Sequence, residues 1–166
     1  MKKPAKLSEQ VLGLLYKRLE NEYTAFYTYR AASHWCQNNG FAKAAKYFEK
    51  ESADELEHAA KIESFITDWN TNPELPAISK PKTEFKSLVE IIEKAYDLEY
   101  NLYLDYEETS MKLFKEGEVA VFDFVQTYRQ IQNASVIEYS DMINVLEDVD
   151  ANKMNLLLLE EQLFGE

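Results

Sequence analysis

Residues that interrupt helices are scarce in this chain, and their positions limit its fold more than any other feature. The four glycines and four prolines lie at Pro4, Gly13, Gly40, Pro73, Pro76, Pro81, Gly117 and Gly165. Only Gly13 lies inside a segment whose pattern is helical. The others leave four long stretches, at about residues 8–38, 41–70, 84–116 and 118–148. Each stretch predicts a helix of roughly 40 Å.

Several residues at the ends of these stretches favour the same division. Ser8 is suited to cap the first helix, and Ser87, with Glu90 three residues later, has the spacing of a capping box at the third. Gly40 and Gly117 tolerate the left-handed backbone with which many helices end. The pattern therefore predicts where the helices start and stop.

The connections between the predicted helices differ in length. Short turns at Gly40 and Gly117 would make the flanking helices antiparallel neighbours. Residues 70–83 carry three prolines and form a connection long enough to run the length of a bundle. We therefore expect an all-α fold, an antiparallel four-helix bundle over about residues 8–148 with one long crossover. Residues 152–163 predict a short fifth helix.

Composition narrows the class of protein. A length of 166 residues suits one domain, so residues 1–166 are expected to form a single domain. Acidic residues outnumber basic ones by 30 to 18, which gives a net charge of -12. A surface of that sign repels nucleic acid and attracts cations. The longest aliphatic run, Leu156–Leu159, is far too short to span a membrane, and no apolar signal segment follows the basic start. A cytoplasmic protein is expected.

A seam of positions spaced alternately three and four residues apart fits all four long helices. Each seam is apolar toward its ends and polar near its middle. The polar positions, one or two on each helix, are Glu22, Glu55, His58, Glu99 and Gln132. Because the midpoints of antiparallel helices of similar length meet, we expect these five side chains to converge on one place.

Three carboxylates buried together cost several kcal/mol each unless something compensates their charge. Basic partners could do so, but the seams contain no Lys or Arg. Protonation could do so through raised pKa values, although three acids are an unusual load. A divalent metal is favoured, because Glu55 and His58 share one helical face, as in dinuclear carboxylate sites. Oxygen-rich ligands with one imidazole suit Fe(II), Mn(II) or, less specifically, Zn(II).

The chain resembles the non-haem ferritins over about residues 7–164. The matching pieces are Glu22 and Tyr29 in the first helix, residues 54–59 in the second, Glu99 in the third and Gln132 in the fourth. The resemblance implies a ferroxidase that oxidises Fe(II) with dioxygen or peroxide and assembles into twenty-four-subunit shells that store ferric mineral. The ferroxidase centre that it implies consists of Glu22, Glu55, His58, Glu99 and Gln132, with Tyr29 as the adjacent tyrosine.

Departures from related proteins narrow this expectation. Leu56 stands where bacterioferritin has its haem-binding methionine, so no haem is expected. Neither Glu99 nor Gln132 has a histidine three residues later, unlike proteins of the bacterioferritin and rubrerythrin type. The positions matching a third iron site of many bacterial ferritins hold Ile131, Ala134 and Ser135. Three alternatives stay open: a di-iron or di-manganese carboxylate oxidoreductase, a metal-binding bundle that does not oxidise, and a structural or signalling helical bundle without metal.

Two further expectations concern the fate of the iron and the assembly of the chain. Three carboxylates against two divalent ions leave the loaded site near +1, so ferric product should be held weakly and iron should pass through the site as transient substrate. The apolar run Leu156–Leu159 is expected to pack against another subunit, since such a run is poorly suited to exposure. Both expectations agree with a homo-oligomer that handles iron.

Overall fold

The computed structural model describes residues 5–147 and 152–165, and within these ranges the chain forms five α-helices and no strand. They are α1 (Glu9–Asn38), α2 (Ala42–Asp68), α3 (Leu88–Glu116), α4 (Val119–Leu146) and α5 (Lys153–Phe164). Helix α1 packs mainly on α2, α3 packs mainly on α4, and the two pairs meet where α1 contacts α3. Residues 69–87 form the long connection. The all-α bundle with one crossover and a short fifth helix is confirmed.

The ends of the helices follow local signals. The Ser8 hydroxyl accepts a hydrogen bond from the Val11 amide at 3.2 Å, and the Ser87 hydroxyl accepts one from the Glu90 amide at 3.3 Å. Gly40 and Gly117 have φ values of 83° and 73°, in the left-handed region. Because Ser87 is the cap, α3 begins at Leu88, later than predicted. The predicted end of the fourth helix at 148 lies outside the described residues.

The core consists of two apolar clusters, one toward each end of the bundle. The first contains aromatic residues from α1 and α2, among them Trp35 and Phe48. The second contains Leu15 of α1, Ile62 of α2 and Leu113 of α3. Buried Glu22, Glu55 and Gln132 lie on their helices between residues of the two clusters, and buried Glu99 lies one turn before Leu102 of the first cluster. The prediction that the seams are apolar at their ends and polar at their middle is therefore confirmed.

Arg18 is a buried basic residue that lies beside the predicted seam of α1, between Leu15 and Leu19. Its side chain is only 5% exposed on α1, one turn before Glu22. Its Nη2 lies 3.3 Å from the Asp105 Oδ2 atom, and its guanidinium lies 5.4 Å from the centre of the Tyr106 ring. Arg18 thus forms an ion pair with Asp105 of α3. It forms none with Glu22, Glu55 or Glu99.

Helix α5 packs on α2 and closes one end of it. The Glu160 carboxylate accepts hydrogen bonds from the backbone amides of Lys43 at 2.7 Å and Ala44 at 3.0 Å. Leu156 and Leu159 are buried in the first core cluster, so half of the apolar run packs within its own chain, contrary to expectation. Leu158 remains exposed. None of the described helices is long and apolar enough to cross a lipid bilayer.

Candidate metal centre

The five predicted ligands, Glu22, Glu55, His58, Glu99 and Gln132, form a polar layer across the bundle. Its centre is a group of three side chains from two helices. Glu22 comes from α1, and Glu55 and His58 come from successive turns of α2. One ligand atom of each residue can be chosen so that all three atoms lie within 4.8 Å of one another. The His58 Nδ1 atom is 3.2 Å from Glu55 Oε2 and 3.4 Å from Glu22 Oε2. Both acids are buried, and His58 is largely buried.

Glu99 and Gln132 form a second part of the same layer. The Gln132 Nε2 group donates hydrogen bonds to the Glu99 side-chain Oε2 and, at 3.0 Å, to the Glu99 backbone oxygen. The other carboxylate oxygen of Glu99 accepts a hydrogen bond from the Tyr29 hydroxyl. Helices α3 and α4 are therefore joined through Glu99 and Gln132, and α1 reaches the same carboxylate through Tyr29.

The pKa values of Glu22, Glu55 and His58 depend on one another, because the three side chains are buried together and hydrogen-bonded. Burial raises the pKa of Glu22, but hydrogen bonds with His58, Glu55 and Tyr106 outweigh burial and leave that pKa below its ordinary value. Burial, and then the charge of Glu22, raise the pKa of Glu55 well above its ordinary value. Burial lowers the pKa of His58, but its hydrogen bonds with Glu22 and Glu55 raise it to about 10. In the metal-free group these shifts favour the charged forms of Glu22 and His58 and the protonated form of Glu55.

The second part of the layer is also sensitive to protons. Burial raises the pKa of Glu99 to about 7, although the hydrogen bonds from Tyr29 and Gln132 oppose that rise. An ion that binds in this layer must therefore displace protons from His58 and the buried carboxyls. Metal binding of that kind releases protons and becomes stronger as pH rises.

The donor set fits a fairly hard divalent ion. Three carboxylates and one imidazole occupy a largely buried layer between two apolar clusters, where unpaired carboxylate charge is costly. Fe(II), Mn(II) and Zn(II) all accept such ligands. Glu22, Glu55 and His58 are the part of the set whose ligand atoms already lie together. Glu99 and Gln132 lie beside them, with their side chains bonded to each other.

Two tyrosines that the sequence reasoning did not single out contact this centre. The Tyr106 hydroxyl donates a hydrogen bond to Glu22 Oε1. The Tyr128 hydroxyl donates one to the His58 backbone oxygen at 2.9 Å. The sequence carries a signal for Tyr106, because it follows Glu99 by the same seven residues that separate Tyr29 from Glu22. No comparable spacing distinguishes Tyr128 from a core tyrosine.

A buried carboxylate–imidazole layer at the middle of a four-helix bundle with one long crossover defines a class of metal-binding bundles. A family model described as the ferritin-like domain matches residues 12–149. The chain therefore belongs to the ferritin family, as the residues led us to expect. The match covers all five of the residues predicted as ligands.

Curated relatives are similar along nearly the whole chain. A probable bacterial non-heme ferritin-like protein of Haemophilus influenzae is 29% identical over 157 residues, which are 95% of each chain. A bacterial non-heme ferritin of Campylobacter jejuni is 22% identical over 157 residues, covering 95% of this chain and 94% of the relative.

Solved structures share the fold at low sequence identity. An open pore ferritin from the archaeon Archaeoglobus fulgidus superposes with a TM-score of 0.89 at 22% identity, covering 96% of this chain and 98% of the other. A structure described as a humanized archaeal ferritin also has a TM-score of 0.89, at 23% identity, with 97% and 98% coverage. At such identity the likeness concerns the fold.

Proposed function

We propose that this chain is the subunit of an iron-storage ferritin and oxidises Fe(II) in its polar layer. Two Fe(II) ions are the substrates, and Glu22, Glu55, His58, Glu99 and Gln132 bind them, with Tyr29 acting on Glu99 through its hydrogen bond. The observation that supports the proposal most directly is the convergence of Glu22, Glu55 and His58 in a largely buried layer. The resemblance and the names of the relatives agree with it.

The reaction that this layer suits is a paired oxidation. Two Fe(II) ions lose one electron each, and dioxygen takes up both electrons and two protons to leave as hydrogen peroxide. With peroxide as the oxidant, the same two electrons and two protons yield two molecules of water. The chain holds both ions in one largely buried place, so that the two electrons leave together. The chain then releases the ferric product, because the charge of its three carboxylates, -3, offsets only half of the +6 of two ferric ions.

Oxygen mixing after anaerobic loading tests this proposal. Metal-free protein receives two equivalents of Fe(II) per chain without oxygen and is then mixed with oxygenated buffer in a stopped-flow instrument. The Glu55→Gln variant should slow the fast oxidation by at least about tenfold, because it removes an ionisable ligand. The matched control is Glu51→Gln, one turn earlier on α2, where the side chain contacts Tyr139 and lies outside the ligand group. It should keep the fast phase.

The alternatives give different results in the same experiment. A bundle that binds but does not oxidise iron would show tight Fe(II) binding and an oxidation rate equal to that of free Fe(II). An oxidoreductase with a resident di-iron centre would retain two ferric ions per chain after aerobic gel filtration and would stop after one turnover without an organic substrate. If the protein stores iron, the assembled protein should take up far more than two iron ions per chain.

We also propose that the chain assembles into a closed shell, which the resemblance puts at twenty-four subunits. A storage cavity requires such a shell, because one bundle encloses no space for a mineral. Several large apolar side chains are exposed on the isolated chain, including Phe114, Val119 and Leu158. Sedimentation velocity of the metal-free protein tests this proposal, and a monomer or dimer at micromolar concentration would contradict it. The cytoplasmic location expected from the sequence stays a prediction.

A further inference from the structure

Tyr106 of α3 is in direct contact with one of the proposed iron ligands. Its side chain is 1% exposed, and its hydroxyl donates a hydrogen bond to Glu22 Oε1. The other oxygen of that carboxylate, Oε2, faces His58 Nδ1 at 3.4 Å. The two oxygens of Glu22 therefore have different partners: Oε1 faces a tyrosine of α3, and Oε2 faces the imidazole of the ligand group.

The contact has a counterpart on the other side of the same layer. Tyr29 of α1 donates to Glu99 of α3, and Tyr106 of α3 donates to Glu22 of α1. Each tyrosine follows the glutamate of its own helix by seven residues, from 22 to 29 and from 99 to 106. Seven residues are about two helical turns, so glutamate and tyrosine lie on one face of each helix. The antiparallel α1 and α3 thus exchange equivalent hydrogen bonds.

The surroundings of the Tyr106 ring hold it in place. On one side, the Arg18 guanidinium lies 5.4 Å from the ring centre. The Tyr128 ring stacks on it with centres 5.5 Å apart and planes 13° apart. The Nη2 atom of Arg18 is in turn held by Asp105, whereas its Nε and Nη1 atoms are buried without a hydrogen-bond partner among the described residues. At this distance the guanidinium is within the range of a cation–π interaction with the ring.

We propose that Tyr106 is a positioning residue that reserves Oε2 of Glu22 for the metal ion. With Oε1 occupied by the phenol, Glu22 offers the ion one oxygen in place of two. Tyr29 stands on one oxygen of Glu99 as Tyr106 stands on one oxygen of Glu22, and the Gln132 amide has to release the other oxygen for Glu99 to bind an ion. This inference rests on the proposed function. It adds a second tyrosine, with a defined role, to the set that the sequence resemblance implied.

Zn(II) is the probe for the test, because it binds carboxylate and imidazole ligands without redox chemistry. Infrared difference spectra of the metal-free protein, with and without Zn(II), report how carboxylates bind. A carboxylate bound through one oxygen has a larger separation between its antisymmetric and symmetric stretching bands than one bound through two. The Glu22→Gln variant identifies the bands of Glu22 by their loss.

Tyr106→Phe keeps the ring and removes only the donor. We expect the separation of the Glu22 bands to shrink in this variant, and the affinity for the first Zn(II) to fall by roughly tenfold. The matched control is Tyr128→Phe, which removes a hydroxyl from the adjacent stacked ring whose partner is a backbone oxygen. The Glu22 bands should be unchanged in it. Tyr29→Phe should move the bands of Glu99 and leave those of Glu22 in place.

A crystal structure of the wild-type protein with bound Zn(II) tests the same inference without depending on whether Tyr106→Phe folds. We expect Glu22 to bind the ion through Oε2, with the Tyr106 hydroxyl donating a hydrogen bond to Oε1. The inference would be overturned if both oxygens of Glu22 bound the ion, or if the Tyr106 hydroxyl no longer contacted Glu22. The proposed function would still stand in either case. Absence of Zn(II) from Glu22, Glu55 and His58 at millimolar concentration would overturn both. Glu22 bands that are identical in Tyr106→Phe and the wild type would overturn the positioning role alone.

Discussion

The acids of the polar layer are stabilised by specific contacts to individual oxygens. Glu22 has Tyr106 on Oε1 and His58 near Oε2, and Glu99 has Tyr29 on Oε1 and Gln132 on Oε2. Such contacts offset part of the desolvation of a buried carboxylate, and the raised pKa values of Glu55 and Glu99 show that the rest is not offset. In the metal-free layer these shifts favour two of the three compensations considered from the sequence, which are protonation and pairing with a cation, here His58.

Glu51 permits a test of such burial without touching a proposed ligand. Its pKa is raised to about 7 by burial first, then by the charges of Glu99, Glu138 and Asp54, while the hydrogen bond from Tyr139 opposes the rise. Because the folded-state pKa is raised, wild-type stability falls as pH rises from about 4.5 through about 7. Glu51→Gln removes that loss. It should be more stable than wild type by about 1–3 kcal/mol above pH 7, and no more stable below pH 4.5.

Urea unfolding of metal-free protein between pH 4 and pH 8 measures this difference. Glu49→Gln on the same helix is the control, because Glu49 is exposed and pairs only with the exposed Arg30. Its effect should stay below about 1 kcal/mol at every pH. A stability difference for Glu51→Gln that does not change with pH would contradict the titration of Glu51 as its cause.

At the scale of elements, the turns between helices depend on single residues. Gly117 ends α3 with φ at 73°, a conformation that costs other residues about 1–2 kcal/mol. Gly117→Ala should therefore destabilise the protein by about that amount. Gly13→Ala is the matched control, because Gly13 lies inside α1 and a Cβ there meets no atom within 4 Å. It should stabilise by about 0.5–1 kcal/mol. Urea unfolding midpoints that move in the same direction would contradict this account.

Helix α2 depends on a cap from a distant part of the chain. Phe41, at its N-cap position, makes no side-chain capping bond, and the Glu160 carboxylate of α5 accepts from the second and third amides in its place. Glu160→Ala should cost about 1–2 kcal/mol in the free energy of unfolding. The neighbouring Glu161→Ala removes only an exposed ion pair with Lys43 and should cost less than about 1 kcal/mol. Equal losses would show that the cap does not stabilise α2.

At the scale of the whole molecule, the sequence predicted what depends on local spacing. The helices, their caps at Ser8 and Ser87, and the meeting of Glu22, Glu55 and His58 follow from residues a few turns apart and from the antiparallel arrangement. Arg18 was missed because a seam rule assigns long basic side chains to the surface, whereas its guanidinium lies over the Tyr106 ring. The Glu160 cap was missed because it joins residues more than a hundred positions apart. Such contacts depend on how helices pack, and no local spacing encodes them.

Assembly is the property of the whole molecule that the apolar residues of α5 make testable. Leu156 and Leu159 pack inside the chain, whereas Leu157, Leu158 and Met154 remain exposed on another face of this helix. Leu158, which is 63% exposed, should be covered by another subunit if the chain forms a shell. Leu158→Glu should therefore reduce the assembled fraction in sedimentation velocity while leaving the helical circular dichroism unchanged. Ile131→Glu on α4, at a half-exposed apolar position away from α5, is the control and should still assemble. Full assembly of Leu158→Glu would exclude this face of α5 from the subunit contacts.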